Sequence, residues 1–332
     1  MIKAVRRPVV LAAGFFDGLH AGHRRVIGRA VARARRIGGE AWVLTFDRHP
    51  LRLLHPEIAP PLLTSTRHKL RLLEEFPGVD GCLVLPFTRK LASLEPREFV
   101  AQLAVCIPRL SEVMVGSNWR FGRGGKGTPA LLSRLGRRLG FKVVVIRPIR
   151  RGGRIVSSTR VRRLITAGDI LQAARLLQRP FSVLGRVGHG RRVARGLGFP
   201  TANLAVENEA LPPTGVYAVR ARVGRGRPWH AGVLNLGVRP TFGGAAGAKP
   251  VMELHLLDVK RALYGRDVEV RFEARIREER KFPSPVELAR QIAGDVRDTR
   301  RLLAGRRRPA AAGRSLPAFG GQTALFRKKA KE

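Results

Sequence analysis

At 332 residues, with 44% of them hydrophobic, the chain is long enough for two cores and too apolar for a disordered protein. No apolar run approaches the roughly 20 residues of a membrane-crossing helix, and two cysteines, Cys82 and Cys106, are too few for a disulfide framework. The formal net charge of +40 raises the question of nucleic acid, but only 11 of the 64 basic residues are lysine, so it reads as an arginine preference spread along the chain rather than a specific nucleic-acid surface.

In chain order, a basic start from Met1 to Arg7 leads into an apolar stretch from Pro8 to Phe16. That outline suits a signal peptide, but it runs straight into Asp17-Gly18-Leu19-His20 rather than a small-residue cleavage site. It is read instead as a strand, Val9 to Ala13, and a functional loop of a cytoplasmic protein with reduced cysteines. Apolar residues Val26, Ile27, Ala30, Ala34 and Ile37 then recur at helical spacing and predict a helix from Arg24 to Ile37. Further strands are predicted at Ala41–Phe46, Gly81–Leu85, Val113–Gly116 and Lys142–Ile146, with helices at Arg67–Glu75, Pro96–Ala104 and Ala130–Leu139. Strands alternating with helices predict a parallel, doubly wound sheet whose ligands sit at the carboxyl ends of the strands.

After Pro180 the rhythm changes to β-branched runs, Phe181–Val187, Val216–Val223, Trp229–Asn235, Val251–Leu257 and Val268–Ile276, separated by Gly and Pro clusters. These predict a small antiparallel β-barrel, followed by one helix, Pro285 to Leu303, with an apolar stripe of Leu288, Ile292, Val296 and Leu303. The expected organisation is therefore a first domain over 1–178, a second over 179–305 and a basic, disordered tail over 306–332. In that tail eight basic residues stand against Glu332, a net +7, which leaves +33 for the rest of the chain.

The first chemical constellation, Gly14-Phe15-Phe16-Asp17-Gly18-Leu19-His20-Ala21-Gly22-His23, lies between the first strand and the first helix. Glycines let backbone N–H groups approach phosphates, and a helix start favours negative charge. His20 and His23 could then neutralise charge on a leaving pyrophosphate; a capped turn is the plain alternative, and a zinc site the weaker one for want of a third ligand. The second, Val156-Ser157-Ser158-Thr159-Arg160-Val161-Arg162, precedes a helix through Ala167 and is equally an N-cap or a triphosphate cradle.

Together these segments resemble the nucleotidylyltransferase module of bacterial bifunctional riboflavin kinase/FAD synthetases, with Val156 where that family has isoleucine. The resemblance continues through Thr45 to Pro50, with Arg48 where proline is usual, and through Gly116 to Gly122, with Trp119 where phenylalanine is usual. It implies a Rossmann-like nucleotidylyltransferase domain in which Gly14, Asp17, His20, His23, Asn118, Ser158, Thr159 and Arg162 bind ATP, and in which FMN is adenylylated to FAD.

The second half is similar to the riboflavin kinase module of the same family, most specifically through Gly196-Leu197-Gly198-Phe199-Pro200-Thr201-Ala202-Asn203-Leu204. The resemblance implies that Gly190, Thr201 and Asn203 bind ATP with Mg²⁺, a hydroxyl and an amide oxygen suiting a hard cation, and that Glu253 is the base for the riboflavin hydroxyl. Read alone, Glu253 belongs to a half-exposed strand in which Val251, Glu253 and His255 face one way and Met252, Leu254 and Leu256 the other. Riboflavin, FMN, FAD and ATP are the partners implied, with no specific nucleic acid and no membrane. The loop from Gly190 to Arg195 departs from the family, with Arg191 where an acidic residue is common and Ala194 where glycine is common, which bears on kinase rate.

Overall fold

A computed structural model describes residues 6–188, 199–239, 249–259 and 263–305. These residues group into two compact units, 6–60 with 69–158, and 61–68 with 159–305. The Gly190 loop and the tail over 306–332 lie outside the described residues. In chain order the first elements are β1 (Val9–Ala13), α1 (Ala21–Arg36), β2 (Glu40–Phe46), α2 (Pro50–Leu54), α3 (Thr66–Glu74) and β3 (Gly81–Leu85). Then come α4 (Arg89–Ala92), α5 (Pro96–Cys106), β4 (Leu110–Gly116), α6 (Pro129–Arg138), β5 (Lys142–Ile146) and a hairpin of β6 (Arg150–Arg151) and β7 (Arg154–Ile155).

The five long strands of the first unit form a parallel sheet in the order β3-β2-β1-β4-β5. β1 is central and apolar throughout because both of its faces are covered. Val9, Leu11 and Ala13 pack with Phe99, Leu103 and Leu132, whereas Val10 and Ala12 pack with Val26, Ile27, Ala30 and Leu73. The strand period of two thus meets helices on both faces, each fully buried large apolar side chain stabilising the unit by roughly 1.5–3 kcal/mol. Strand order reverses between β1 and β4, and the crevice at their carboxyl ends is where such a sheet binds ligands. α1 starts at Ala21, three residues before the predicted start at Arg24, because His20 caps it.

The second unit continues with α7 (Ser158–Thr166), whose residues from Thr159 onward belong to it, and α8 (Ile170–Leu177). The remaining elements are β8 (Ser182–Gly188), β9 (Ala202–Val206), β10 (Gly215–Val223), β11 (His230–Arg239), β12 (Lys249–Leu256), β13 (Asp267–Arg277) and α9 (Pro285–Ala304). The six strands close into an antiparallel barrel, β10-β11-β12-β9-β8-β13, as the runs after Pro180 predict. Two elements of this unit escape the sequence pattern. α8 is only 8 residues long, capped by Asp169, whose Oδ1 accepts from the Gln172 N–H at 3.0 Å, and β9 is only 5.

The barrel unit also encloses charge. Arg222 donates to Glu269 Oε2 at 2.6 Å from Nη2 and 3.1 Å from Nε, with both side chains buried. His68 lies beside Glu269 and Ser182, its Nε2 3.2 Å from the Ser182 Oγ and its Nδ1 3.4 Å from the Asn208 amide nitrogen. Among the described residues no helix is long and apolar enough to cross a membrane.

Candidate functional site

Glycines at two positions accommodate close ring approaches in the loop after β1. A Cβ on Gly14 would stand 2.9 Å from the Phe16 ring, and one on Gly22 would meet the His20 ring at 3.1 Å. Phe16 (φ 56°) and Leu19 (φ 45°) adopt left-handed backbone, which costs L-residues energy and persists where the surroundings over-determine it. Those surroundings are visible. Thr45 Oγ1 and Lys69 Nζ both donate to the Phe15 carbonyl, at 2.9 and 3.1 Å, and Ser158 Oγ donates to the Asp17 carbonyl at 3.0 Å.

His20 and His23 meet at the head of α1 with their rings stacked, centroids 3.6 Å apart. The His23 N–H donates to His20 Nδ1 at 3.3 Å, so a neutral His20 carries its proton on Nε2, free to donate to a ligand. Burial lowers the His20 pKa from 6.5 to about 4. It lowers that of His23 well below its ordinary value too, helped by the neighbouring charges of His20 and Lys69. His23 Nδ1 is buried and makes no hydrogen bond. Two neutral imidazoles at a helix N-terminus, framed by glycines, form a site suited to an incoming polyanion.

Of the residues predicted for this site, the structure brings Gly14, Asp17, His20, His23 and Ser158 together within the first unit. Asn118 is exposed just beyond β4, the strand beside β1 at the crevice. Thr159 and Arg162 are described in the second unit, where Arg162 Nε donates to the Pro61 carbonyl at 2.6 Å. Sequence reasoning missed Thr45 and Lys69 as supports of the loop. A signal for Lys69 exists, since it shares the spacing of Leu72, Leu73 and Phe76 and so occupies the buried stripe of α3.

In the barrel, strand register assembles the second site. Glu253 on β12 lies opposite Asn203 on β9 and opposite Asn235 on β11, so the three share one level across adjacent strands. Met252, Leu254 and Leu256 point into the core, leaving Glu253 and His255 on the other face. That face borders a cavity of about 280 Å³, lined by Thr201, Asn235, Glu253 and His255 and walled by Phe282 and Leu288. The His255 Nδ1 lies 2.9 Å from the Pro200 carbonyl, and its ring packs edge-on to Phe199 at 5.7 Å, which holds the segment carrying Thr201. Deeper, Arg277 grips Asp295 through Nε to Oδ1 at 3.0 Å and Nη2 to Oδ2 at 2.9 Å. No group of three or more His, Cys, Asp or Glu residues suited to a metal occurs among the described residues. Thr201 lines the cavity and Asn203 pairs with Glu253 from the neighbouring strand, so the segment brings a hydroxyl and an amide, both donor types that a hard cation accepts.

Two family descriptions match the chain, FAD synthetase over residues 2–160 and riboflavin kinase over residues 177–303. A bifunctional riboflavin kinase/FMN adenylyltransferase from Escherichia coli strain K12 is 39% identical over 293 residues, covering 88% of this chain and 92% of its own. One of the same name from Bacillus subtilis strain 168 is 34% identical over 311 residues, covering 93% and 96%. A crystal structure named as a macrolide-efflux protein from Streptococcus pneumoniae superposes with a TM-score of 0.75 at 28% identity, covering 90% of this chain and 96% of its own.

Proposed function

The chain belongs to the bifunctional riboflavin kinase/FMN adenylyltransferase family, and from that premise we propose which residues carry each reaction. The enzyme phosphorylates riboflavin to FMN and adenylylates FMN to FAD, each time at the expense of ATP. The observation that carries the residue assignment is the shared level of Asn203, Glu253 and Asn235 beside the barrel cavity. There Glu253 takes the proton of the riboflavin terminal hydroxyl as its oxygen attacks the γ-phosphorus of ATP and ADP departs. Mg²⁺, held by Thr201 and Asn203, would supply neutralisation of the phosphate charge. The apolar wall of Phe282 and Leu288 suits a flavin ring.

In the other half an FMN phosphate oxygen attacks the α-phosphorus of ATP, and the bond to the pyrophosphate oxygen breaks. His20 through Nε2–H, His23, and the N–H groups of the α1 start receive the charge that develops on the pyrophosphate. Gly14, Asp17, Asn118, Ser158, Thr159 and Arg162 complete the proposed ATP set, and Gly190 that of the kinase. Separable activities are assigned to 1–178 and 179–305, and the half-buried Cys82 thiol, pushed up to about 12 by its apolar surroundings, together with free Cys106, suits a reducing cytoplasm.

The test uses the full chain with riboflavin, ATP and Mg²⁺, resolving FMN from FAD. Glu253→Gln is expected to lower FMN formation by about 10²- to 10⁴-fold while supplied FMN is still converted to FAD. His20→Ala with His23→Ala is expected to do the reverse, cutting FAD formation by roughly 10²-fold or more with FMN formation unchanged. Normal FMN formation by Glu253→Gln removes the base assignment.

A further inference from the structure

Lys69 is the one buried lysine among the described residues, 1% exposed on α3. Its ammonium donates to the Phe46 carbonyl at 2.8 Å and the Phe15 carbonyl at 3.1 Å, and lies 4.2 Å from the centre of the Phe15 ring. Phe15 follows β1 and Phe46 ends β2, so one side chain ties together the carboxyl ends of two neighbouring strands. The tie falls one residue before Phe16, where the loop enters its left-handed turn towards His20. A buried ammonium costs several kcal/mol of desolvation, which a methionine of similar shape would avoid. Its tie to the segment that leads into the His20 and His23 loop gives that charge a task.

We propose that Lys69 is a positioning residue for FMN adenylylation: its charged ammonium fixes the loop that presents His20 and His23 and adds positive potential beneath the phosphates. The inference rests on the reading of that loop as the ATP site. Charge-assisted hydrogen bonds are roughly twice as strong as neutral ones, so loss of the Lys69 proton loosens both carbonyls and removes the potential. The groups facing it are Asp17 in the loop, Asp47 after β2, Cys82 on β3 and His23 on α1. Burial lowers the Lys69 pKa from 10.5 to about 8, with the carboxylates of Asp17 and Asp47 opposing. The Cys82 thiol, itself raised to about 12, stays neutral throughout this range.

The direction of the pH effect separates positioning from mere stability. Because the folded pKa lies below the ordinary one, the unfolded chain binds more protons between about pH 8 and 10.5, and Lys69 makes the fold more stable as pH rises there. FAD formation should move the opposite way. In the full-length enzyme supplied with FMN, ATP and Mg²⁺, kcat/KM for ATP is expected to fall above an apparent pKa near 8. The corresponding limb in kcat should lie at higher pH, since bound phosphates favour the ammonium. Lys69→Met is expected to reduce kcat/KM at pH 7 at least about tenfold and to flatten the limb, with riboflavin phosphorylation changed less than about twofold. Parental FAD formation by Lys69→Met, alongside loss in His20→Ala, would overturn the proposal and leave the loop reading intact. Parental FAD formation by the His20→Ala, His23→Ala protein removes the loop reading and this inference with it. If Lys69→Met does not fold, the wild-type profile decides, and a flat kcat/KM between pH 7 and 9.5 refutes the role.

Discussion

At the scale of single residues, the two histidines of the first unit join a structural task to the chemical one proposed for them. His20 accepts the His23 N–H, in the first turn of α1, through one ring nitrogen, while burial holds it neutral with a pKa of about 4. A histidine whose folded pKa is depressed leaves the unfolded chain binding more protons between about pH 4 and 6.5, so stability rises with pH across that window and is lost on acidification. From pH 7 to pH 5 the His20 contribution is on the order of 2 kcal/mol. Urea unfolding of the ligand-free enzyme at the two pH values should therefore show a steeper acid loss for the wild type than for His20→Ala. Equal losses in the two proteins would place the acid sensitivity elsewhere. Glu253 differs in kind, because its neighbours Asn203 and Asn235 are set by strand register and not by anything adjacent in sequence.

At the scale of elements, α1 shows how a helix start can be spent on function. Gly22 stands inside its first turn, where alanine is the better helix former by roughly 1 kcal/mol. An alanine Cβ there would nevertheless stand 3.1 Å from the His20 ring, so the ring must shift by a few tenths of an ångström against its stacking partner His23. Gly22→Ala is therefore expected to leave thermal stability unchanged or slightly raised while FAD formation falls about tenfold, a divergence visible by comparing the melting temperature with FAD yield. An unchanged yield would show that the ring can shift without consequence. β9 and β12 illustrate the complementary case. Neither strand is a site by itself, and their antiparallel pairing puts a hydroxyl-bearing turn and an amide beside a carboxylate.

At the scale of the whole molecule, a net charge of +40 on an enzyme of anionic nucleotides requires no nucleic-acid partner, since +33 of it lies outside the final 27 residues, 306–332. A chain ending at Gly305 keeps every residue assigned to either reaction. It is expected to retain both activities within about twofold, and to hold RNA less well at low salt, with the residual binding lost as salt approaches physiological strength. Loss of either activity on truncation would give the tail a direct role. The alternation of strands and helices up to Ile146 and the change of rhythm after Pro180 were legible in the sequence, because they depend on periodicity. The α8 helix and the β9 strand were not, being too short for a period to declare itself. Nor was the level shared by Asn203, Glu253 and Asn235, because register is decided by pairing between distant strands, nor the burial of Lys69, because a lone cation on an apolar stripe is explained only once the carbonyls of Phe15 and Phe46 arrive from two other strands to receive it.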